Sequence, residues 1–419
     1  METAGGRDRP DERYLTDSDP RSLPLVGALI ALGRQAGDVS ALVQEYNERL
    51  VALGLPVDRA TAHLSTLHSE RIGTGRVWRP GQEVIETDYG FGVRSGALFL
   101  GSPVRAAEEA QAPVELWPFV KPEAHSFNIL PELRAEAIAH YIAYPLFLSD
   151  GTINVASFAT KRAGGFDPRD RALLESLMPL YTRMLEIKNL RQTVEELLKI
   201  YVGRGPGVRI LSGNTERGQV SRLSAAMLLA DMRHFTDLSN RIPERRLVQL
   251  LNDFYDCFVP PIAEAGGEVL KFIGDAVLAI FPQPDGMARM ASPRERALTA
   301  ARQGLARLAD YNSTLTEDPA IVEAGVALHL GRVAYGNVGS VERLDFTAIG
   351  PDVNLVARLA NLCSRLEQPL LLSERFARGL ILPLRDLGAQ RLKGFAQRQR
   401  VFTLEPGALE PAAGVPQPL

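Results

Sequence analysis

Hydrophobic and polar positions are most sharply divided between Glu268 and Phe281, where two apolar runs flank the pair Gly274-Asp275. Two strands joined by a two-residue loop with glycine first have the composition of a type II′ β-hairpin. This hairpin carries Lys271 in one strand and Asp275 at its tip, and an unpaired charge is costly away from water. Both charges therefore need partners. The alternative is a surface turn with a lysine whose aliphatic stem covers apolar surface.

The pattern around this hairpin predicts an α+β domain. A buried strand ends at Asp231, a strongly amphipathic helix follows, and further strands precede a second helix that begins at Pro351. This order indicates a ferredoxin-like βαββαβ core with helices on one face of an antiparallel sheet. The predicted elements are strands at Ser224–Ala230, Ile321–Leu330, Arg332–Val338 and Leu344–Gly350, and a helix at Pro243–Ala265.

The first half of the chain also mixes helices and strands. Helical spacing predicts two helices between Pro24 and Leu53, separated near Gly37. Its last elements, a hairpin followed by a long helix, resemble a GAF-type sensor domain in layout. His63 and His68 could be ligands, but structural histidines are favoured because no further ligand lies at metal spacing. The other predicted elements are strands at Ala60–His68 and Arg76–Trp78, a helix at Pro131–His140, a hairpin at Tyr144–Thr160 and a helix from Pro168 to about Leu190.

A helical linker joins the two halves. Apolar residues recur for two to three heptads up to Leu198, and Gly203 to Gly207 then break the helix. The linker is compatible with a short parallel dimer contact or with an ordinary amphipathic helix. The predicted organisation is a disordered lead (1–20), a GAF-like α+β domain (21–185), the linker (186–207), a second α+β domain (208–405) and a disordered tail (406–419).

Composition limits the function classes. The 419 residues include 47 Lys and Arg against 50 Asp and Glu, which gives no basic footprint for nucleic acid and no polybasic membrane patch. The only cysteines, Cys257 and Cys363, form no C-x-x-C pair. The apolar run Leu23–Gly33 is too short to span a bilayer. We therefore expect a soluble, cytoplasmic protein without membrane insertion or nucleic-acid partners.

Two aspartates and one helix carry the candidate chemistry. Asp231 and Asp275 both lie at ends of predicted strands, and adjacent strands would bring them within reach of shared Mg²⁺ ions. Taken alone, an aspartate such as Asp231 is more often a helix cap or turn residue. Asn354 and Arg358 project from one helical face, where arginine suits phosphate, although such a pair is usually solvated surface. The chain has no Walker loop, so a nucleotide must be held in another way.

Together, four motifs resemble the class III adenylate/guanylate cyclase catalytic domain over about residues 220 to 405. They occur in the family's order and spacing. They are Ala230-Asp231-Met232-Arg233-His234-Phe235-Thr236, Leu270-Lys271-Phe272-Ile273-Gly274-Asp275-Ala276, Gly336-Asn337-Val338-Gly339-Ser340 and the segment from Phe346 to Arg358.

The resemblance implies a homodimeric adenylate cyclase, regulated by its N-terminal half in response to an unknown small-molecule or protein signal. ATP is favoured over GTP because guanylate cyclases typically carry an acidic residue where this chain has Lys271. The implied roles are two Mg²⁺ (or Mn²⁺) ions per site held by Asp231 and Asp275, purine recognition by Lys271 and Thr347, ribose orientation by Asn354, transition-state stabilisation by Arg358 and phosphate contact by Lys393.

Two positions depart from the family pattern. His234 replaces a glycine beside the first metal aspartate, and Thr347 replaces the aspartate of the best-known adenylate cyclases. A threonine subgroup is sometimes bicarbonate-responsive, which makes bicarbonate sensitivity a hypothesis here. The alternatives are a guanylate or mixed-specificity cyclase, and a catalytically silent scaffold that binds nucleotide or a partner through the same surface.

Overall fold

The computed structural model describes residues 22–34, 37–120, 127–283, 291–315 and 321–408. The chain divides into two compact units, Met1–Leu197 and Leu198–Leu419, called the first and second unit below. The predicted lead (1–20) and residues 409–419 of the predicted tail lie outside the described residues. Within the described ranges, no helix is both long enough and apolar enough to cross a membrane.

The first unit contains α-helices and one six-stranded sheet, whose strand order is β3-β2-β1-β6-β5-β4. Its strands are β1 (Arg59–Ser65), β2 (Arg71–Trp78), β3 (Ile85–Gly90), β4 (Val114–Leu116), β5 (His140–Phe147) and β6 (Ile153–Thr160). Its helices are α1 (Ser22–Arg34), α2 (Val39–Ala52), α3 (Ala97–Leu100), α4 (Pro103–Ala110), α5 (Leu130–Ala135) and α6 (Pro168–Tyr201).

Side-chain alternation in this sheet separates two cores. Ala60, Ala62 and Leu64 of β1 pack on the side of α1, α2 and α6. Val155 and Ala159 of β6 pack on the opposite side with residues of α4 and α5. Both faces of the sheet are therefore covered, as expected for strands with a period of two.

Two predictions for this half need correction. The helix expected over Pro131–His140 ends at Ala135, because Ala137 adopts a left-handed conformation with φ +57° and His140 already begins β5. The helix that begins at Pro168 continues, as expected, through the predicted helical linker to Tyr201. The predicted break is confirmed at Gly203 but does not extend to Gly207, because a further helix covers Arg204–Leu211. The GAF resemblance stays a prediction.

The second unit contains an eight-stranded sheet in the order β13-β14-β12-β10-β7-β9-β8, with β11 paired to β10. Its strands are β7 (Val220–Met232), β8 (Glu268–Ile273), β9 (Ala276–Pro282), β10 (Ala324–Gly339), β11 (Leu344–Ile349), β12 (Leu370–Ser373), β13 (Leu384–Gln390) and β14 (Gln399–Leu404). Its helices are α7 (Arg204–Leu211), α8 (Phe235–Ser239), α9 (Glu244–Glu264), α10 (Pro293–Thr314), α11 (Pro351–Arg365) and α12 (Glu374–Ala377).

The order β7-α9-β8-β9-α10-β10 is the predicted βαββαβ core. Its four strands lie in the sheet order β10-β7-β9-β8, and every neighbouring pair is antiparallel. Apolar residues of α9 and α10 form one core with alternate residues of β7, β9 and β10. The α+β fold class and the placement of these two helices on one face are confirmed.

Helix α11 packs on the other face of this sheet, a position that the sequence left open. Ala225, Met227 and Leu229 of β7 share a core with Leu355 and Leu359 of α11. Asp231 follows these residues with the same alternation, so it lies toward the α11 face. The sheet therefore separates the α9 and α10 layer from the layer that carries Asn354 and Arg358.

The two strands expected over Ile321–Leu330 and Arg332–Val338 are one strand, β10. Gly331 does not interrupt it, because the backbone pairs continuously with β7 from Ala324 to Gly336. The glycine instead makes room for the Asp352 carboxylate, which occupies the space that a β-carbon would need. The amide of Arg332 donates to Asp352 at 2.7 Å, so the start of α11 is fixed to this strand.

Candidate active site

The strand pair β7–β9 brings Asp231 and Asp275 together. Asp231 is the penultimate residue of β7 and pairs with Ala276, the residue directly after Asp275. The amide of Met232 also donates to the Asp275 carbonyl at 3.4 Å. The predicted hairpin is confirmed, and the positive φ of Gly274, +62°, is the value that the first loop position of a type II′ turn requires.

This turn is held from helix α9. The Tyr255 hydroxyl donates to the Gly274 carbonyl at 2.6 Å, and its ring packs against Phe272 with centroids 4.2 Å apart. Because Gly274 directly precedes Asp275, Tyr255 limits the positions that the carboxylate can take. Tyr255 was not predicted from the sequence, where it is one of several aromatic residues of an amphipathic helix that pack against the core.

The electrostatics of the two aspartates favour a cation. Burial, and then the charge of Asp275, raise the pKa of Asp231 from 3.8 to about 6. Burial also raises the pKa of Asp275. Neither carboxylate forms an ion pair with a described lysine, arginine or histidine. Two adjacent carboxylates without a counter-charge are a donor set that suits a hard divalent ion such as Mg²⁺. In the described ranges, no cluster of three or more His, Cys, Asp or Glu accompanies them.

The loop after Asp231 is fixed by Arg233. Its guanidinium donates at 3.2 Å to the carbonyl of Cys363, in the last turn of α11, and at 2.6 Å to that of Gln368, just after the helix. It also pairs with Glu323 at 3.2 Å. These bonds satisfy carbonyls at a helix end and anchor the loop from the α11 side.

His234 occupies a left-handed conformation, with φ +58° and ψ +21°. A residue with a β-carbon is disfavoured there by about 1 kcal/mol or more, whereas glycine is not. A glycine at this position would fit the backbone without strain. The histidine noted in the sequence is therefore the less favourable residue for this conformation. The side chain is exposed, so the substitution strains the backbone without filling the site.

Lys271 and Thr347 lie on neighbouring structural elements, and a residue that was not predicted connects them. The Lys271 ammonium pairs with the Asp345 carboxylate at 2.6 Å. Asp345 and Thr347 are two apart in β11, so they share one face of that strand. A β-bulge between Val269 and Lys271 shifts the β8 register just before the lysine, which is a common way of redirecting a side chain.

Thr347 has an unsatisfied hydroxyl. The residue is 3% exposed, and its Oγ1 is buried without a hydrogen-bond partner among the described residues. A buried polar atom without a partner costs about 1 to 3 kcal/mol, so such an atom is typical of a position that a ligand satisfies.

The other three predicted site residues, Asn354, Arg358 and Lys393, take no part in the contacts described above. Asn354 and Arg358 lie on one exposed face of α11, and neither has a side-chain partner among the described residues. Lys393 is exposed in a turn between the buried Leu392 and the partly buried Phe395. Each is free to contact a substrate or a second copy, and none forms a hydrogen bond or ion pair with Asp231 or Asp275.

Comparison with known proteins identifies this region. Residues 220–376 match the sequence profile of the family described as the adenylate and guanylate cyclase catalytic domain. The second unit carries a cyclase catalytic domain. The matched segment contains Asp231, Asp275, Lys271, Thr347 and both predicted residues of α11, whereas Lys393 lies beyond it.

Curated relatives resemble part of this chain. An uncharacterized protein of Mycobacterium tuberculosis is 34% identical over 210 residues, covering 50% of this chain and 35% of the relative. The adenylate cyclase of Anabaena cylindrica is 32% identical over 172 residues, covering 41% of this chain and 33% of the relative. The matches thus span about a third of the length of these relatives.

Solved structures also align with part of this chain. The adenylyl cyclase CyaB from P. aeruginosa is 26% identical, with a TM-score of 0.38, covering 44% of this chain and 94% of that one. A bacterial light-regulated adenylyl cyclase is 20% identical, with a TM-score of 0.46, covering 63% of this chain and 85% of that one.

Proposed function

We propose that the cyclase domain is an adenylate cyclase, which converts ATP to 3′,5′-cyclic AMP and pyrophosphate. The observation that carries the proposal is the pair of Asp231 and Asp275, two like charges at one end of β7 and β9 with no counter-charge among the described residues. ATP binds as a complex with divalent cations, and these cations would neutralise the two carboxylates. The relevant reaction is attack of the ribose 3′-oxygen on the α-phosphorus, in which positioning and electrostatics lower most of the barrier.

Asp231 and Asp275 would hold two Mg²⁺ or Mn²⁺ ions. When bound, these ions would supply charge stabilisation at the triphosphate and at the attacking oxygen. The chain's own part is to keep both carboxylates aligned. Tyr255 restrains the turn of Asp275, and Arg233 restrains the loop after Asp231.

Lys271 and Thr347 would read adenine. An ammonium has three donors, so Lys271 can keep its bond to Asp345 and still donate to adenine N1. The Thr347 hydroxyl, buried without a partner, can accept from the exocyclic amine. Binding adenine would therefore satisfy a group that is otherwise left without a hydrogen bond.

Asn354, Arg358 and Lys393 would act on the substrate held by a second copy of the chain. Asn354 would orient the ribose, Arg358 would stabilise the charge that develops on the α-phosphate, and Lys393 would contact the outer phosphates. Their exposure and lack of partners within one chain support this arrangement. Phe272 and Ile273, which are 51% and 50% exposed in the hairpin, would be covered by the same homodimer. The first unit would regulate this activity.

A guanylate cyclase is the second candidate, and Asp345 is the observation that favours it. Its carboxylate lies beside the proposed purine-reading lysine. Guanine presents donors at N1 and N2, which a carboxylate can accept. Asp345 would have to release Lys271 in part to do so, which is why we place ATP first.

The proposal is tested by incubating purified full-length protein with ATP or GTP and Mg²⁺ or Mn²⁺, and separating the products by chromatography. We expect cyclic AMP from ATP and little cyclic GMP from GTP. Asp345→Asn distinguishes the candidates, since it lowers GTP use selectively if the carboxylate reads guanine. Preferential turnover of GTP would replace the adenylate proposal with the guanylate one.

A further inference from the structure

A cavity of about 440 Å³ lies within the first unit. One side is formed by residues of β1, β2, β3 and β6, and the other by the short 3₁₀ turn Val93–Ser95 together with α3 and α4. Its volume is in the range of small-molecule sites, which is about 300 to 1,000 Å³. The cavity is built entirely from residues of this unit and is separate from the cyclase domain.

The walls are mostly apolar. Phe99 and the exposed Leu98 come from α3, and Val104 comes from α4. Ile72 and Val93 complete the apolar lining from the sheet and from the 3₁₀ turn. A pocket of this kind binds through burial of apolar area, while a few polar groups fix the orientation.

The lining also includes polar residues, and among these His63 and Tyr89 form a pair; the other uncharged ones are Ser65, Thr87, Ser102 and Asn154. His63 Nδ1 lies 3.1 Å from the Tyr89 hydroxyl, and the two rings are near parallel with centroids 6.0 Å apart. Gly75 makes this possible, because a β-carbon there would overlap the Tyr89 hydroxyl. His63 Nε2 has no hydrogen-bond partner in the described part of the chain.

Burial, and then the charge of Arg59, lower the pKa of His63 to about 4. Burial also raises the pKa of Tyr89. Both groups are therefore neutral near pH 7. A neutral imidazole and a phenol that share one hydrogen bond keep one further donor and one further acceptor between them, whichever of the two donates.

The charge of the lining argues against a phosphate-rich ligand. Arg94 is the only lysine or arginine among the described residues that line the cavity. It is half-exposed and already pairs with Glu108 at 3.5 Å, and its guanidinium lies 5.3 Å from the centre of the Phe99 ring. A polyanion would meet one shared cation and the Glu108 carboxylate, so an uncharged ligand fits better.

We propose that this cavity binds an uncharged, planar, largely apolar small molecule that carries a hydrogen-bond donor and acceptor side by side, such as an aromatic lactam. Its ring packs among Phe99, Val104 and Ile72, and its polar edge meets the His63–Tyr89 pair. Binding does not depend on the proposed cyclase reaction. A failure here leaves the adenylate cyclase proposal untouched, and the reverse also holds.

The test uses 2-quinolinone as the probe and naphthalene as its apolar counterpart, with binding to the full-length chain measured by saturation-transfer NMR. We expect 2-quinolinone to bind at least tenfold more tightly than naphthalene. His63→Phe keeps a ring but removes the hydrogen-bonding edge, so it should abolish the tenfold preference while naphthalene binding persists.

Val104→Trp fills the cavity and should abolish binding of both probes. Val51→Trp, on the exposed side of α2, is the matched control and should leave both unchanged. Circular dichroism checks that each variant is folded, and Ile72→Phe replaces Val104→Trp if the latter is not. Absence of binding to the wild type at millimolar probe, or binding that survives in the folded filling variant, overturns the proposal.

Discussion

The Lys271 ammonium lies 2.6 Å from the Asp345 carboxylate, although 74 residues separate them in the chain. The contact joins the hairpin that carries Asp275 to the strand that carries Thr347. Both side chains are partly exposed, so the pair itself adds little stability. The pair instead determines where the lysine lies, since it directs the Lys271 side chain toward the face of β11 on which Thr347 lies.

Lys271→Ala should reduce ATP turnover through substrate binding. Loss of one charge-assisted hydrogen bond, worth about 1.5 to 3 kcal/mol, corresponds to a fall of roughly 10- to 100-fold in kcat/KM for ATP. Steady-state kinetics measure it. Lys161→Ala, at an exposed position of the first unit, is the control and should change neither kcat nor KM. An unchanged kcat/KM for Lys271→Ala would remove this residue from purine recognition.

Thr347→Val should lower activity without lowering stability. The hydroxyl is buried without a partner in the described structure, so its removal should leave the free energy of unfolding within about 0.5 kcal/mol of the wild type. The kcat/KM for ATP should fall about tenfold. Thr403→Val is the matched control, since that buried hydroxyl donates to the Leu370 carbonyl at 2.7 Å and its loss should cost about 1 kcal/mol.

Urea denaturation and steady-state kinetics on both threonine variants check this prediction. A destabilisation of Thr347→Val as large as that of Thr403→Val would indicate a structural role for the hydroxyl instead.

Asp231→Asn should stabilise the metal-free protein at neutral and alkaline pH. The pKa of Asp231 rises from 3.8 to about 6 on folding, so between these values the folded state binds more protons than the unfolded state. Stability therefore falls as pH rises from about 4 through 6. Asparagine does not ionise, so Asp231→Asn does not lose stability in this pH range. Its Tm in EDTA at pH 8 should therefore exceed that of the wild type.

The same variant should lose the Mg²⁺-dependent rise in Tm, because a bound ion stabilises only the folded state. Asp256→Asn, on the exposed side of α9, should behave like the wild type in both measurements. A lower Tm at pH 8 for Asp231→Asn, or an intact Mg²⁺ response, contradicts the assignment of this carboxylate.

His234→Gly should increase stability. The left-handed conformation at φ +58° disfavours a residue with a β-carbon, and its relief should add roughly 1 kcal/mol to the free energy of unfolding. Asn240→Gly is the control, because Asn240 has φ −83° and glycine there should be neutral or destabilising. Urea unfolding of both variants decides the matter, and a loss of stability in His234→Gly would show that the side chain has a stabilising contact.

Local pattern was sufficient to predict the elements that hold the aspartates. The hairpin of β8 and β9 follows from two apolar runs around a Gly-Asp pair, and β7 follows from its continuous apolar run. The antiparallel βαββαβ core then follows from the order of elements.

Contacts between distant segments could not be predicted in the same way. The bond of Lys271 to Asp345 and that of Tyr255 to Gly274 depend on tertiary packing. Such contacts do not produce a repeating pattern of hydrophobic and polar residues in a single sequence. Gly331 was misleading for a related reason. A glycine usually marks a break, yet here it admits the Asp352 carboxylate beside an unbroken strand.

The most direct test of the central claim is ATP turnover by full-length Asp275→Ala beside the wild type, with oligomeric state measured by light scattering. We predict cyclic AMP from the wild type, none from the variant, and the same dimer for both. Cyclic AMP formation that persists in Asp275→Ala would contradict the proposal that the Asp231–Asp275 pair holds the catalytic ions.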